Sequence, residues 1–202
     1  DKLLNALNEQ YSGEQDPSGN VKEFKSWVGN KNNSQNSQER LNAIQEVFNQ
    51  NPELSKIGDV FSYTSYLDSV FPDSKVKDIV YHFGEVGKNG KFKNDFAQID
   101  SGINKKGFQF ATSIKTLLQY GISGLNKYLK NGDYDIKQMR LDDKLQTVLL
   151  NTTNPFIDKN LGGDFTGSND AYARLDYNNN GKYIVFEPEQ IHILGSKQDI
   201  EG

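Results

Sequence analysis

An α+β domain is the fold class that this sequence predicts, and three observations carry it. Short runs rich in β-branched and aromatic residues recur after Pro72, namely KDIVYHF (77–83), KGFQFA (106–111), KLQTVLLN (144–151) and KYIVFEP (182–188). One helical stripe lies among them, with Ile114, Leu117, Leu118, Ile122, Leu125 and Leu129 recurring over residues 113–130. The first third is polar and reads as helix. Short strands with a helix between them fit an α+β layer arrangement.

The elements follow in chain order. NSQERLNAIQEVFNQ puts Leu41, Ile44, Val47 and Phe48 on one helical face behind Ser37, a plausible cap. GNKNNSQNS, before it, has the composition of a polar linker. TSYLDSVF forms a further short helix that ends at Pro72. Residues 1–58 are therefore expected to be a helical extension, or the end of a larger upstream protein, and residues 59–202 the α+β domain. KGFQFA runs into Thr112 and Ser113, which can cap the helix that follows. KLQTVLLN stops before Asn154-Pro155, and a Gly- and Asp-rich loop fills 158–170. KYIVFEP is the clearest strand, closed by Pro188.

Composition narrows the function classes. Twelve Phe and ten Tyr supply much of a 35% hydrophobic content, enough for a core in 202 residues. A net charge of −4 without a basic block argues against nucleic acid as a partner, since that affinity rests on clustered Lys and Arg. No apolar run approaches the length of a membrane span and no signal peptide is visible, so a soluble protein with no membrane partner is expected. The chain opens with Asp1 rather than Met, which leads us to expect a fragment or a processed product. With no Cys, disulfides, thiolate catalysis and Cys-based zinc sites are excluded. Two histidines leave little for a His-rich metal site.

DYNNNGKYIVFE offers a local motif. Asp176, Asn178, Asn180, Gly181 and Glu187 complete the calcium-loop pattern D-x-N-x-N-G-x5-E, with NDAYARL as an entering helix. The same residues have a second reading. Asn179-Asn180-Gly181 suits a hairpin turn, and Tyr183–Phe186 prefers a strand.

Three separated segments carry more information together. IVYH (79–82), GFQFATSIKTLLQY (107–120) and KYIVFEPEQI (182–191) appear in this order. Together they resemble the ADP-ribosyltransferases, on the branch shared by diphtheria-type toxins and poly(ADP-ribose) polymerases. The ending YIVFEPEQIHILGS is similar to the small transferase domains of phage and mobile-element polyvalent proteins. The resemblance covers residues 70–200. It implies a split β-sheet core, NAD as the substrate, and one cleft built from all three segments. His82 would bond a ribose hydroxyl. Phe83 stands where a Gly would hold the carboxamide through its backbone, and Gly84 follows. Gly107 opens the G-x-Y-F pattern, in which Gln109 replaces the ring-stacking Tyr. Tyr120 matches the second stacking ring. Lys182 stands where a Glu would stabilise the cation that forms as the glycosidic bond breaks.

These departures have consequences. Gln is no aromatic platform, and Lys repels a developing cation. Losing one preorganised electrostatic partner costs roughly 2.7–4 kcal/mol, and a charge reversal at least that. Glu85, Glu187 and Glu189 are acids nearby, each at a different offset. Three readings stay open. The first is NAD-dependent transfer of ADP-ribose to a protein target, in a bacterial cytoplasm or a phage virion. The second is an inactive scaffold of the same fold that binds a partner or a virion component. The third is calcium binding at 176–187. Each residue also has an ordinary alternative: His82 as a satisfied strand-end group, Tyr120 as core packing, and Gln109 as a side chain alternating away from Phe108 and Phe110.

Overall fold

The computed structural model describes residues 37–86, 92, 97–98, 106–158, 165 and 168–201. The expected linker and the rest of residues 1–36 lie outside them. Helix α1, Ser37–Gln50, buries Leu41, Ala43, Ile44 and Val47, close to the face that the periodicity predicts, with Phe48 packed beside them. Asn51 closes the helix by donating its Nδ2 to the Val47 carbonyl at 2.8 Å. A 3-10 turn, Pro52–Lys56, leads to α2, Val60–Val70. Asp59 caps α2 by accepting the N–H groups of Phe61 and Ser62 at 3.1 and 2.9 Å.

The boundary expected at residue 58 is crossed by the packing. Ile44 and Val47 of α1 share one apolar cluster with Tyr63, Ile79, Tyr81, Leu145 and Leu149. The described part of the first segment is thus a layer of the domain itself, because the stripe of α1 has nowhere else to bury its surface.

The strands are β1 (Val80–Phe83), β2 (Ala97–Gln98), β3 (Lys106–Ala111), β4 (Leu129–Lys130), β5 (Asp133–Tyr134), β6 (Leu145–Leu150), β7 (Pro155–Asp158), β8 (Ala171–Leu175), β9 (Gly181–Val185) and β10 (Ile191–Ile193). The helices after β3 are α3 (Ile114–Gln119), α4 (Ile136–Leu141) and α5 (Lys197–Glu201). The helix expected over 113–130 is therefore cut short. Gly121 and Gly124 take φ values of 58° and 91°, which turn the chain and leave only a 3-10 turn at Leu125–Tyr128. Leu117 and Leu125 still reach the core, but Leu129 ends up 47% exposed on β4.

Among the described residues the chain is α+β, with a large mixed sheet. The order is β10-β6-β1-β3-β9-β8-β7, with β2 beside β3; β4 and β5 form a separate hairpin. All pairings are antiparallel except β7 with β8. The sheet cannot be flat. β6 and β7 stand five strand spacings apart, about 24 Å in a flat sheet. Residues 151–154 alone join them, and an extended link of that length spans at most about 18 Å. The sheet curls until one face closes on itself. Val148, Leu150, Ile191 and Ile193 from one half share an apolar cluster with Ala171, Ala173, Leu175 and Val185 from the other. The opposite face carries the helices.

The two halves meet at a narrow seam. β1 and β3 pair only through Tyr81↔Ala111, whereas β1–β6 runs from Val80↔Val148 to Phe83↔Leu145 and β3–β9 from Phe108↔Val185 to Ala111↔Lys182. The expected split pair of sheets is one continuous sheet with a thin join. Among the described residues, no helix is long and apolar enough to cross a membrane.

Candidate functional site

The seam places His82. Its Nδ1 lies 2.8 Å from the Gln109 carbonyl oxygen, across the point where β1 and β3 part. A carbonyl only accepts, so Nδ1 carries the proton and donates it. The ring lies edge-on to Phe92 at 4.8 Å and tilted against Phe110 at 5.6 Å. Gly84 fits beneath it: a Cβ there would come within 2.6 Å of Nε2. Gly84 is thus tied to the imidazole by space. The intervening Phe83 points the other way and meets Tyr128 edge-on at 5.9 Å.

Gln109 and Lys182 lie elsewhere. Tyr81, Ala111, Lys182 and Arg174 form one row across four strands, so their side chains share the helix-covered face. Gln109, two residues from Ala111, joins that face, where Ile184 opposes it. His82, next to Tyr81, belongs to the enclosed face, as its contacts with Phe92 and Phe110 show. The expectation that His82, Gln109 and Lys182 face one another across a single cleft is therefore corrected. The three do sit on neighbouring strands, but side chains alternate with period two, and the register assigns His82 the opposite parity. Gln109 reaches His82 only through its main chain.

Tyr120 follows α3 and is 37% exposed. Burial raises its hydroxyl above the usual range, and the positive charge of Arg174 offsets part of that rise. It therefore belongs with Arg174 and Lys182, away from His82. Gly107 is a packing position, since a Cβ would meet the Val185 carbonyl at 2.5 Å and the Ile184 side chain at 2.6 Å. Glu85 is an exposed partner of Lys144. The sequence offered no signal for Phe92 or Arg174. Phe92 stands among Gly, Lys and Asn without strand periodicity, and the parity of Arg174 depends on pairing with Lys182.

The calcium loop is overturned by backbone geometry. NDAYARL forms strand β8 rather than an entering helix. Residues 176–180 are the turn of a hairpin between β8 and β9. The Asp176 carboxylate accepts the N–H groups of Asn178 and Asn180, both at 2.8 Å, and its main chain pairs with Asn180 at 2.8 Å. Those backbone N–H groups of Asn180 and Asn178 hold its carboxyl below the usual carboxylate range. Glu187 sits beyond the far end of β9, about 20 Å from Gly181 at strand rise. There it completes a capping box with Gln190 over the 3-10 turn Pro188–Gln190. The twelfth ligand cannot return to the first. Among the described residues no cluster of three or more His, Asp or Glu is placed to hold a metal.

One cavity of about 260 Å³ opens at the mouth of the curled sheet, lined by Asn151, Thr153, Asp170, Phe186, Glu187 and Gln190. Its polar groups work internally. Gln190 accepts the N–H groups of Phe186 and Glu187 and donates to the carbonyls of Asn151 and Asp170. Asp170 accepts from the Thr153 and Asn154 main chain. These bonds tie β6, β8 and β9 together where the halves meet. Comparison of the sequence with protein-family models and with curated proteins found no match in either case.

Proposed function

We propose that this chain is an ADP-ribosyltransferase-type scaffold that no longer cleaves NAD and serves as a binding or structural module. This reading is supported by the placement of the His82, Gly107 and KYIVFEP segments on three strands that lie side by side, with only a thin join between β1 and β3. The loss of chemistry rests on one observation: His82 is on the enclosed face, and Gln109 and Lys182 are on the other. Oxocarbenium stabilisation needs a preorganised negative partner beside the sugar that the His orients. Here the residue at the acid position is cationic and on the far side of the sheet. Fold alone does not carry activity.

A second reading, an active transferase, is favoured by the fixed Nδ1–H tautomer of His82 and by the Gly beneath its ring. Incubation with NAD labelled in the nicotinamide ring separates the two. The inactive module releases no nicotinamide above the buffer rate. Release that is abolished by His82→Ala would overturn the proposal and identify the chain as an NAD-cleaving enzyme.

A further inference from the structure

We propose that Asn131 is a site of spontaneous deamidation, and that the change undoes the β4–β5 hairpin. Asn followed by Gly occurs three times in the chain, at Asn89-Gly90, Asn131-Gly132 and Asn180-Gly181. The first pair lies outside the described residues. The chemistry needs only water. The Gly nitrogen gives up its proton to solvent and attacks the Cγ carbon of the preceding Asn. A C–N bond forms, the Asn amide nitrogen takes a proton, and it leaves as ammonia. The resulting cyclic imide then takes up one water at either carbonyl and opens to an aspartyl or an isoaspartyl residue. Gly favours the attack because it has no side chain to obstruct it. Which pair reacts is decided by the fold, since the nitrogen must be free and must have room to turn towards the amide.

Asn131 and Gly132 are the central residues of the β4–β5 turn, with φ values of 53° and 86°, the conformation that Asn-Gly favours. Both are exposed. Among the described residues, neither the Asn131 side chain nor the Gly132 N–H has a hydrogen-bond partner. A Cβ built on Gly132 would meet nothing within 4 Å, so there is room for the imide ring. The hairpin has two residue pairs and stands apart from the large sheet, so opening it costs little. Asn180 is exposed as well, but its pair is held. The Gly181 N–H donates to Thr112 Oγ1 at 2.9 Å, and the Asn180 N–H donates to the Asp176 carboxylate at 2.8 Å. A Cβ on Gly181 would come within 1.9 Å of the Arg174 carbonyl, so that nitrogen is crowded as well as bonded. Five residue pairs join β8 to β9 within the large sheet. At the β4–β5 turn the product places a negative charge between Lys130 and Asp133. Its isoaspartyl form adds a backbone carbon to a two-residue turn, which no longer fits the Lys130↔Asp133 pair.

The test ages the full chain in mildly alkaline buffer, both folded and in concentrated urea. Conversion at Asn131 and Asn180 is followed by peptide mass mapping and isoaspartyl content. In the folded chain Asn131 should convert about tenfold or more faster than Asn180, the factor that about 1.4 kcal/mol of opening free energy supplies. In urea the two rates should converge, because both sites are then open. Equal rates in the folded chain, or an Asn180 that reacts first, overturn the proposal. A difference that persists undiminished in urea does so too, because it would belong to the neighbouring sequence rather than to the fold. Amide exchange measures the consequence. In the aged chain it should quicken over residues 129–134 and stay unchanged in β8 and β9. Asn131→Gln aged in the same way should keep its original exchange, because a ring larger by one atom closes slowly. Unchanged exchange in a chain converted at Asn131, or equal quickening in aged Asn131→Gln, overturns the claim that this modification undoes the hairpin.

Discussion

Asp199 holds the end of the described chain in place, and its removal should be among the most damaging single changes. Its carboxylate lies buried on α5 and accepts three hydrogen bonds: Tyr63 Oη at 2.5 Å, His192 Nε2 at 2.5 Å and the Gly195 N–H at 2.6 Å. Asp199, Tyr63 and His192 are 3%, 0% and 6% exposed, so water cannot replace what is lost. Burial first, and then the negative charge of Asp199, hold the Tyr63 hydroxyl far above its usual range. Asp199→Ala leaves the Tyr63 hydroxyl and His192 Nε2 without their acceptor, while the Gly195 N–H keeps Tyr63 Oη at 3.0 Å; each buried polar group left unsatisfied costs about 1–3 kcal/mol, so the pair costs about 2–6 kcal/mol. At about 2–4 °C per kcal/mol for a chain of this size, the melting temperature should fall by about 4–24 °C. Asp199→Asn should do much less harm. If His192 moves its proton to Nδ1, the amide can donate to Nε2 while its oxygen still accepts from Tyr63 and Gly195. Thermal and urea unfolding of the two variants measures both values. A loss below about 1 kcal/mol for Asp199→Ala, the size of an ordinary exposed hydrogen bond, would refute the buried-network account.

Other outcomes follow from the same geometry. Calcium should not raise the melting temperature, and Glu187→Gln should leave it unchanged; a calcium-dependent rise removed by that substitution would restore the loop rejected above. Gly181→Ala should disrupt the β8–β9 hairpin, because its Cβ would lie 1.9 Å from the Arg174 carbonyl; unchanged hydrogen exchange across β8 and β9 would count against so close an approach of the two strands at that point. Stability should fall in alkali. Burial pushes the Tyr81 hydroxyl up to about 12, with Arg140 opposing the shift, and burial raises Tyr63 and Tyr183 further. Unfolded tyrosines ionise near about 10, so these groups stabilise the fold below that pH and the contribution is lost as pH rises from about 10 through 12. A urea midpoint that stays level over that range would contradict their burial.

Much of the fold was legible because its signals are local. The 3.6-residue stripe of α1 and the apolar runs of β3, β6 and β9 follow from backbone periodicity, and the structure keeps them with small shifts at their ends. β7 and β8 were missed because PFID and AYARL are short and carry Asp158 and Arg174 among Ala and Pro, a pattern that local propensity does not separate from loop or helix. Of the two readings of 176–187, the hairpin turn followed by a strand is the one the structure shows. A turn satisfies Asp176 with its own backbone, and an extended strand carries Glu187 away.

The sequence by itself determined the α+β class, the order of the three strands that lie side by side, and the residue types along them. Only the tertiary structure decided which way those residues point. Parity in a strand depends on register, and register depends on partners far along the chain, so the pairs Tyr81↔Ala111 and Ala111↔Lys182 settle that His82 faces Phe92 while Gln109 and Lys182 face away.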